Sequence, residues 1–131
     1  MRPINFIITV VLLFVVGTAG MAAQEMQEIT PVKAREMVKS GKASLLDVRT
    51  QQEWDLGHLE KASRVDVMDK DFKKKIQSLG LDKKKPLIVY CATGGRSAYA
   101  ADDLIKMGYK VVYNMVGGIK AWQAAGLPIV K

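Results

Sequence analysis

Pro86 to Tyr90 form an unbroken apolar run, preceded by Lys83-Lys84-Lys85 and followed at once by Cys91. A short strand can be apolar on both sides only where both faces of its sheet are covered, and crossover helices provide that cover in parallel sheets. The surrounding segments fit this requirement. Ser44 to Val48 reads as a second buried strand, Ser63 to Val67 alternates polar and apolar like a strand nearer the sheet edge, and Val111 to Tyr113 reads as another. Helical signals fall between them. Thr30 followed by Pro31 predicts a helix start, with Gly41 closing a helix over Pro31 to Ser40. Thr50 and Glu53 have capping-box spacing, for a short helix stopped near Gly57. Asp69 or Asp71 can cap a helix that places Phe72, Ile76 and Leu79 on one face and ends at Gly80. Further helices are expected from about Ser97 to Met107, and from Gly117-Gly118 through Trp122. Such alternation predicts an α/β domain, a parallel sheet with helices on both faces and a ligand site beyond the carboxyl ends of the strands.

With 131 residues the chain holds one compact domain. Residues 1–22 read as a secretory signal peptide: Arg2 is their only charged side chain, a nearly unbroken apolar run spans Phe6 to Val16, and small residues follow. Cleavage is expected near Ala22 or Ala23, leaving residues 23–131 as a single exported domain whose expected destination is the periplasm; the alternative is an uncleaved N-terminal anchor facing the periplasm. The mature protein is then expected to have no stable membrane insertion. One cysteine and one histidine, Cys91 and His58, exclude an internal disulfide and a protein-only zinc site of the cysteine/histidine type, so no metal is expected. The net charge of +7 draws partly on Lys73 to Lys75 and Lys83 to Lys85, read first as solvated faces and second as a field that steers anions. No interleaving of basic and aromatic residues points to nucleic acid.

Oxidising compartments favour paired cysteines, so a single thiol in an exported chain is either buried and inert or kept for its chemistry. Position favours the second reading. Cys91 stands where a central strand runs out, and Ala92, Thr93, Gly94, Gly95, Arg96 and Ser97 lead into a helix. Two glycines allow the loop to curl around the sulfur, and backbone N–H groups, the helix N-terminus and Arg96 are expected to lower the thiol pKa. A sulfur carried on that thiolate would meet the same donors.

This loop, followed by Ala100, Leu104, Gly108-Tyr109, Val112, Gly117-Gly118, Trp122, Gly126 and Pro128, resembles a rhodanese domain. Leu46-Asp47-Val48-Arg49, Glu53-Trp54 and Gly57-His58-Leu59 resemble the family's first signature, so the likeness extends from about Ile29 to Ile129. The resemblance implies a mostly parallel five-stranded sheet and a thiosulfate sulfurtransferase in which Cys91 cycles between thiolate and persulfide, with no cofactor. It also implies a small anionic sulfur donor and a thiol or cyanide acceptor, a protein thiol among the candidates. The chain departs from the family pattern at Glu60, Lys61-Ala62 and Asp66, where the family has a small or proline residue, then Gly-Ala, then a strand leading to proline. That departure bears on the turn and edge strand beside the site.

Asp47 and Arg49 are expected to support the site as an ion pair and turn, His58 to satisfy backbone groups, and Ser97 to cap the following helix. Trp54, Trp122, Tyr109 and Tyr113 read as packing residues. Two other functions compete. Cysteine phosphatases and arsenate reductases keep five residues between cysteine and arginine, whereas four, Ala92 to Gly95, intervene here. A non-catalytic rhodanese-like binding module would commonly lack the nucleophile.

Overall fold

The computed structural model describes residues 24–131; the expected signal peptide and the expected cleavage position lie outside the described residues. The elements run β1 (Gln27–Ile29), α1 (Pro31–Lys39), β2 (Ser44–Asp47), α2 (Gln51–Leu56), β3 (Ser63–Arg64), α3 (Phe72–Ser78), β4 (Leu87–Tyr90), α4 (Gly95–Lys106), β5 (Val112–Met115) and α5 (Gly118–Ala124). The five strands form one parallel sheet in the order β1-β5-β4-β2-β3. Among the described residues no helix is long and apolar enough to cross a membrane.

The pleat of β4 explains why its whole run is apolar. Leu87, Val89 and Cys91 pack with Phe72 and Ile76 of α3 and with Ala100, Ala101 and Leu104 of α4. Ile88 and Tyr90 belong to the opposite core, with Ala34 of α1 and Ile119 and Trp122 of α5. Alternate side chains therefore meet helices on alternate faces. Sulfur and α4 lie on the same face as a direct result of that register.

The local signals act as expected at several ends. Thr30 Oγ1 accepts the Lys33 N–H, and Thr50 and Glu53 form the reciprocal capping box. Four expectations need correction. The fifth strand is β1, which the sequence reading did not place. The strand expected over Ser63 to Val67 is confined to Ser63–Arg64, although Val65 N and Val67 N still donate to Asp47 O and Val48 O at 3.0 and 3.1 Å. Leu79 shares the helical spacing of Phe72 and Ile76 but stands at the C-cap, one residue beyond the end of α3, and is exposed where they are buried. Ser97 is not a helix cap: α4 begins at Gly95, and its N-cap is Gly94.

The departure from the family pattern keeps a backbone that suits glycine. Lys61 takes φ +66°, and among the described residues it is the non-glycine residue with positive φ. The side chain at this turn carries a local strain of about 1 kcal/mol or more that glycine would not.

Candidate active site

Cys91 follows the last residue of β4, and its side chain is buried under the loop that leads into α4. Gly94 N–H donates to Sγ at 3.1 Å, and Ser97 Oγ lies 3.3 Å from Sγ. Gly94 takes φ +108°, a left-handed conformation that brings its N–H back toward the sulfur. Gly95 has no such need: its φ is ordinary, and an added Cβ would meet nothing within 4 Å. Only the first of the two glycines is required by the curl.

α5 holds the other side of the loop. Ile119 N and Lys120 N donate to Cys91 O and Ala92 O at 2.9 and 3.2 Å. In a trans peptide the carbonyl and the following N–H point in opposite directions, so drawing these carbonyls toward α5 turns the next amides away from it. Gly118 permits that approach. Its φ is +61°, and a Cβ there would fall 2.5 Å from Cys91 O and from Ala92 C and O.

Burial pushes the Cys91 thiol up, but hydrogen bonds from the Ser97 hydroxyl and from the amides of Ser97, Gly94 and Thr93 outweigh it and hold the thiol below its ordinary value. Thr93 and Gly95 are exposed, so the loop borders solvent. The arrangement suits a thiolate, or one further sulfur attached to it, surrounded by donors. The clefts between α1 and α5 and beside β2 involve none of residues 91–97.

Arg96 points its fork elsewhere. Its Nη1 and Nη2 donate to Glu53 Oε1 and Oε2 at 2.7 and 2.8 Å, joining α4 to α2. The donors that most favour the thiolate are thus the hydroxyl and the amides rather than this guanidinium. Arg96 still senses the charge on Cys91, which, after Glu53, helps to hold its own pKa up.

Residues 30–125 match the rhodanese-like domain family. The chain belongs to that family. It is 33% identical over 98 residues to the thiosulfate sulfurtransferase GlpE of Coxiella burnetii, covering 75% of this chain and 88% of the relative. A rhodanese-related protein from Thermoplasma volcanium superposes with a TM-score of 0.69 at 29% identity, over 79% of this chain and 97% of that one. The polysulfide-sulfur transferase homodimer of Wolinella succinogenes gives a TM-score of 0.69 at 28% identity, over 80% of this chain and 78% of that one.

Within this rhodanese-like domain, Asp47 and Arg49 do not reach residues 91–97 by any hydrogen bond among the described residues. Arg49 Nη2 donates to Asp47 Oδ2 at 2.7 Å and to Gly57 O at 2.8 Å, and Arg49 N donates to Asp47 Oδ1 at 2.9 Å. They tie β2 to the end of α2. Tyr90 completes this support: its hydroxyl accepts Leu59 N–H at 3.1 Å and its ring lies 5.6 Å from the Arg49 guanidinium carbon. His58 exchanges backbone bonds with Val130, and its ring stacks on Trp54 at 3.5 Å. Tyr109 and Trp122 are buried in the two cores, whereas Trp54 and Tyr113 are only partly buried.

Two residues that hold the Cys91 loop and the start of α4 were missed in that role. Glu53 reads in sequence as a cap and as part of the family's first signature, yet its carboxylate also holds Arg96. Asn114, at the end region of β5, had no signal; its amide bonds Ser97 and Gly94.

Proposed function

We propose that this rhodanese-like domain is a sulfurtransferase whose Cys91 thiolate attacks the outer sulfur of thiosulfate or a related sulfane donor. A new S–S bond forms on Cys91 as the donor's S–S bond breaks, and with thiosulfate as donor the electron pair of the broken bond leaves on sulfite. Cyanide or a thiol then attacks the outer sulfur of the persulfide and takes it, returning the electron pair of that bond to Cys91 as thiolate. No cofactor enters the cycle, because the thiol itself carries the sulfur. The observation that carries this reading is the set of donors around Cys91 Sγ, with Gly94 N at 3.1 Å and Ser97 Oγ at 3.3 Å.

A phosphate- or arsenate-handling site is less well supported, since such a ligand calls for a guanidinium fork free to grip two oxygens, and the fork of Arg96 is engaged by Glu53. The proposal includes an exported domain over residues 23–131, acting on a small anionic donor and on a small-molecule or protein thiol.

Intact mass spectrometry of protein purified from its own secretory pathway tests both parts. Exposure to thiosulfate should add one sulfur atom, cyanide should remove it as thiocyanate, and Cys91→Ser should abolish both. The same spectrum reports cleavage near Ala22. Persistent thiocyanate production by Cys91→Ser would overturn the role given to Cys91.

A further inference from the structure

Asn114 is buried on β5, and its side chain bridges two parts of the thiol loop. Nδ2 donates to Gly94 O at 3.1 Å, which identifies the other end of the amide: Oδ1 faces Ser97, 2.6 Å from Oγ. An amide oxygen has no hydrogen, so that short contact uses the hydroxyl hydrogen of Ser97. Ser97 is fully buried, and its Oγ is also 3.3 Å from Cys91 Sγ.

A serine hydroxyl has one hydrogen. While Cys91 is a thiol there is no conflict, because S–H can donate to Oγ as O–H donates to Asn114. Ionisation reverses the demand. The thiolate has no hydrogen and gains most from accepting one, but the Ser97 hydrogen cannot be at Sγ and at Oδ1 together.

We propose that Asn114 is a positioning residue that competes with Cys91 for the single hydroxyl hydrogen of Ser97, so that ionisation of the nucleophile is coupled to turning that hydroxyl from Oδ1 to Sγ. No covalent bond other than S–H changes; the hydroxyl rotates about Cβ–Oγ, and the thiol proton passes to water. Asn114 thereby restrains the thiolate while no donor is bound. Once sulfur has been taken up, the negative charge lies on the outer sulfur, the inner one no longer needs the hydrogen, and the hydroxyl returns to Asn114.

This inference rests on Cys91 as the reacting group but not on the identity of its substrate. The charged groups around the thiol come from other elements. Arg96 of α4 is coupled to Cys91, and Glu53 of α2 and Asp66 after β3 act on Arg96. From α5, Lys120 is exposed, while Tyr113 of β5 packs against the opposite core. None of these groups is altered in the variants below.

The test is the pH dependence of Cys91 alkylation by iodoacetamide in the wild type, Asn114→Ala, Ser97→Ala and the double variant, each first shown to unfold cooperatively on heating. Asn114→Ala should move the alkylation midpoint to lower pH by about half a unit or more, a threefold or greater gain in rate below the midpoint. Ser97→Ala should move it upward, and the further loss of Asn114 should then have no effect. Asn114→Leu, which keeps the branched outline of the side chain without its polar atoms, should reproduce the downward shift and serves if the alanine variant does not fold. A midpoint that is unchanged or raised in folded Asn114 variants, or one that falls equally with and without Ser97, would overturn the proposal. Because alkylation needs no sulfur donor, this outcome is separate from failure to transfer sulfur.

Discussion

Arg96 and Glu53, far apart in sequence, meet fork to fork at 2.7 and 2.8 Å at the junction of α4 and α2. The contact does two things at once. It engages both arms of the guanidinium fork, and it anchors the first turn of α4, which carries Ser97 beside the sulfur. Chiefly through Arg96, and also through Thr50, the Glu53 carboxyl is lowered to about 2.

The first consequence is a pH dependence of stability. A lowered carboxyl pKa means that the folded state favours the ionised form. Its stabilising contribution is full above the ordinary value of 4.5 and is lost as pH falls toward about 2. Wild type should exceed Glu53→Gln by about 1 to 2 kcal/mol above pH 5, with the difference shrinking steadily below pH 4.5. Thermal unfolding of both proteins from pH 2 to 6 measures it. A difference that stays constant across that range would contradict the assignment.

The second concerns the anionic donor. Arg96→Ala leaves the Glu53 carboxylate without its cation beside the site, so thiosulfate kcat/KM should fall by about tenfold, mainly through KM. Adding Glu53→Gln to that variant should restore part of the loss by removing the repelling charge. Steady-state kinetics of the two variants decide the matter, and an equal loss in both would show that the carboxylate does not act on the donor.

The third separates the paired glycines. Gly94→Ala places a side chain at φ +108° and should cost about 1 to 2 kcal/mol as well as slow Cys91 alkylation, since the displaced amide is a donor to Sγ. Gly95→Ala, in open space at the first position of α4, should be neutral or stabilising by up to about 1 kcal/mol. Denaturant unfolding of the two variants, compared side by side, provides the check.

The fourth addresses Lys61. Replacing it with glycine relieves a left-handed backbone and should stabilise the protein by about 1 kcal/mol, less the entropy that glycine gives to the unfolded chain. A fall in the unfolding midpoint would mean that the lysine side chain contributes more than its backbone costs.

Much of the scaffold was legible because its determinants are local. The capping box at Thr50 and Glu53, the Pro31 helix start and the apolar run of β4 each depend on neighbours within a few residues. β1 escaped because Gln27, Glu28 and Ile29 offer three residues with one buried side chain, too short for a periodic signal. Cys91 and its loop were legible from a strand end meeting a helix start. The partners of that loop were not: Asn114 reaches it from β5 and Glu53 from α2, and no spacing encodes such meetings. Ser97 was misread for a related reason. Serine near a helix start suggests a cap, but Gly94 had already begun the helix and left the hydroxyl facing sulfur.

The position of β1 has a further consequence, for the order of assembly. This edge strand pairs with β5, so residues 27–29 find their sheet partners at residues 113–115. Joining them requires closing nearly the whole domain into one loop, an entropic cost met only when the intervening strands are already in place. As the chain emerges during synthesis, β1 must wait for β5, and the sheet cannot be completed on a partial chain. Completion of the sheet is thereby postponed until the segment that carries Asn114, and with it the full environment of the thiol, is present.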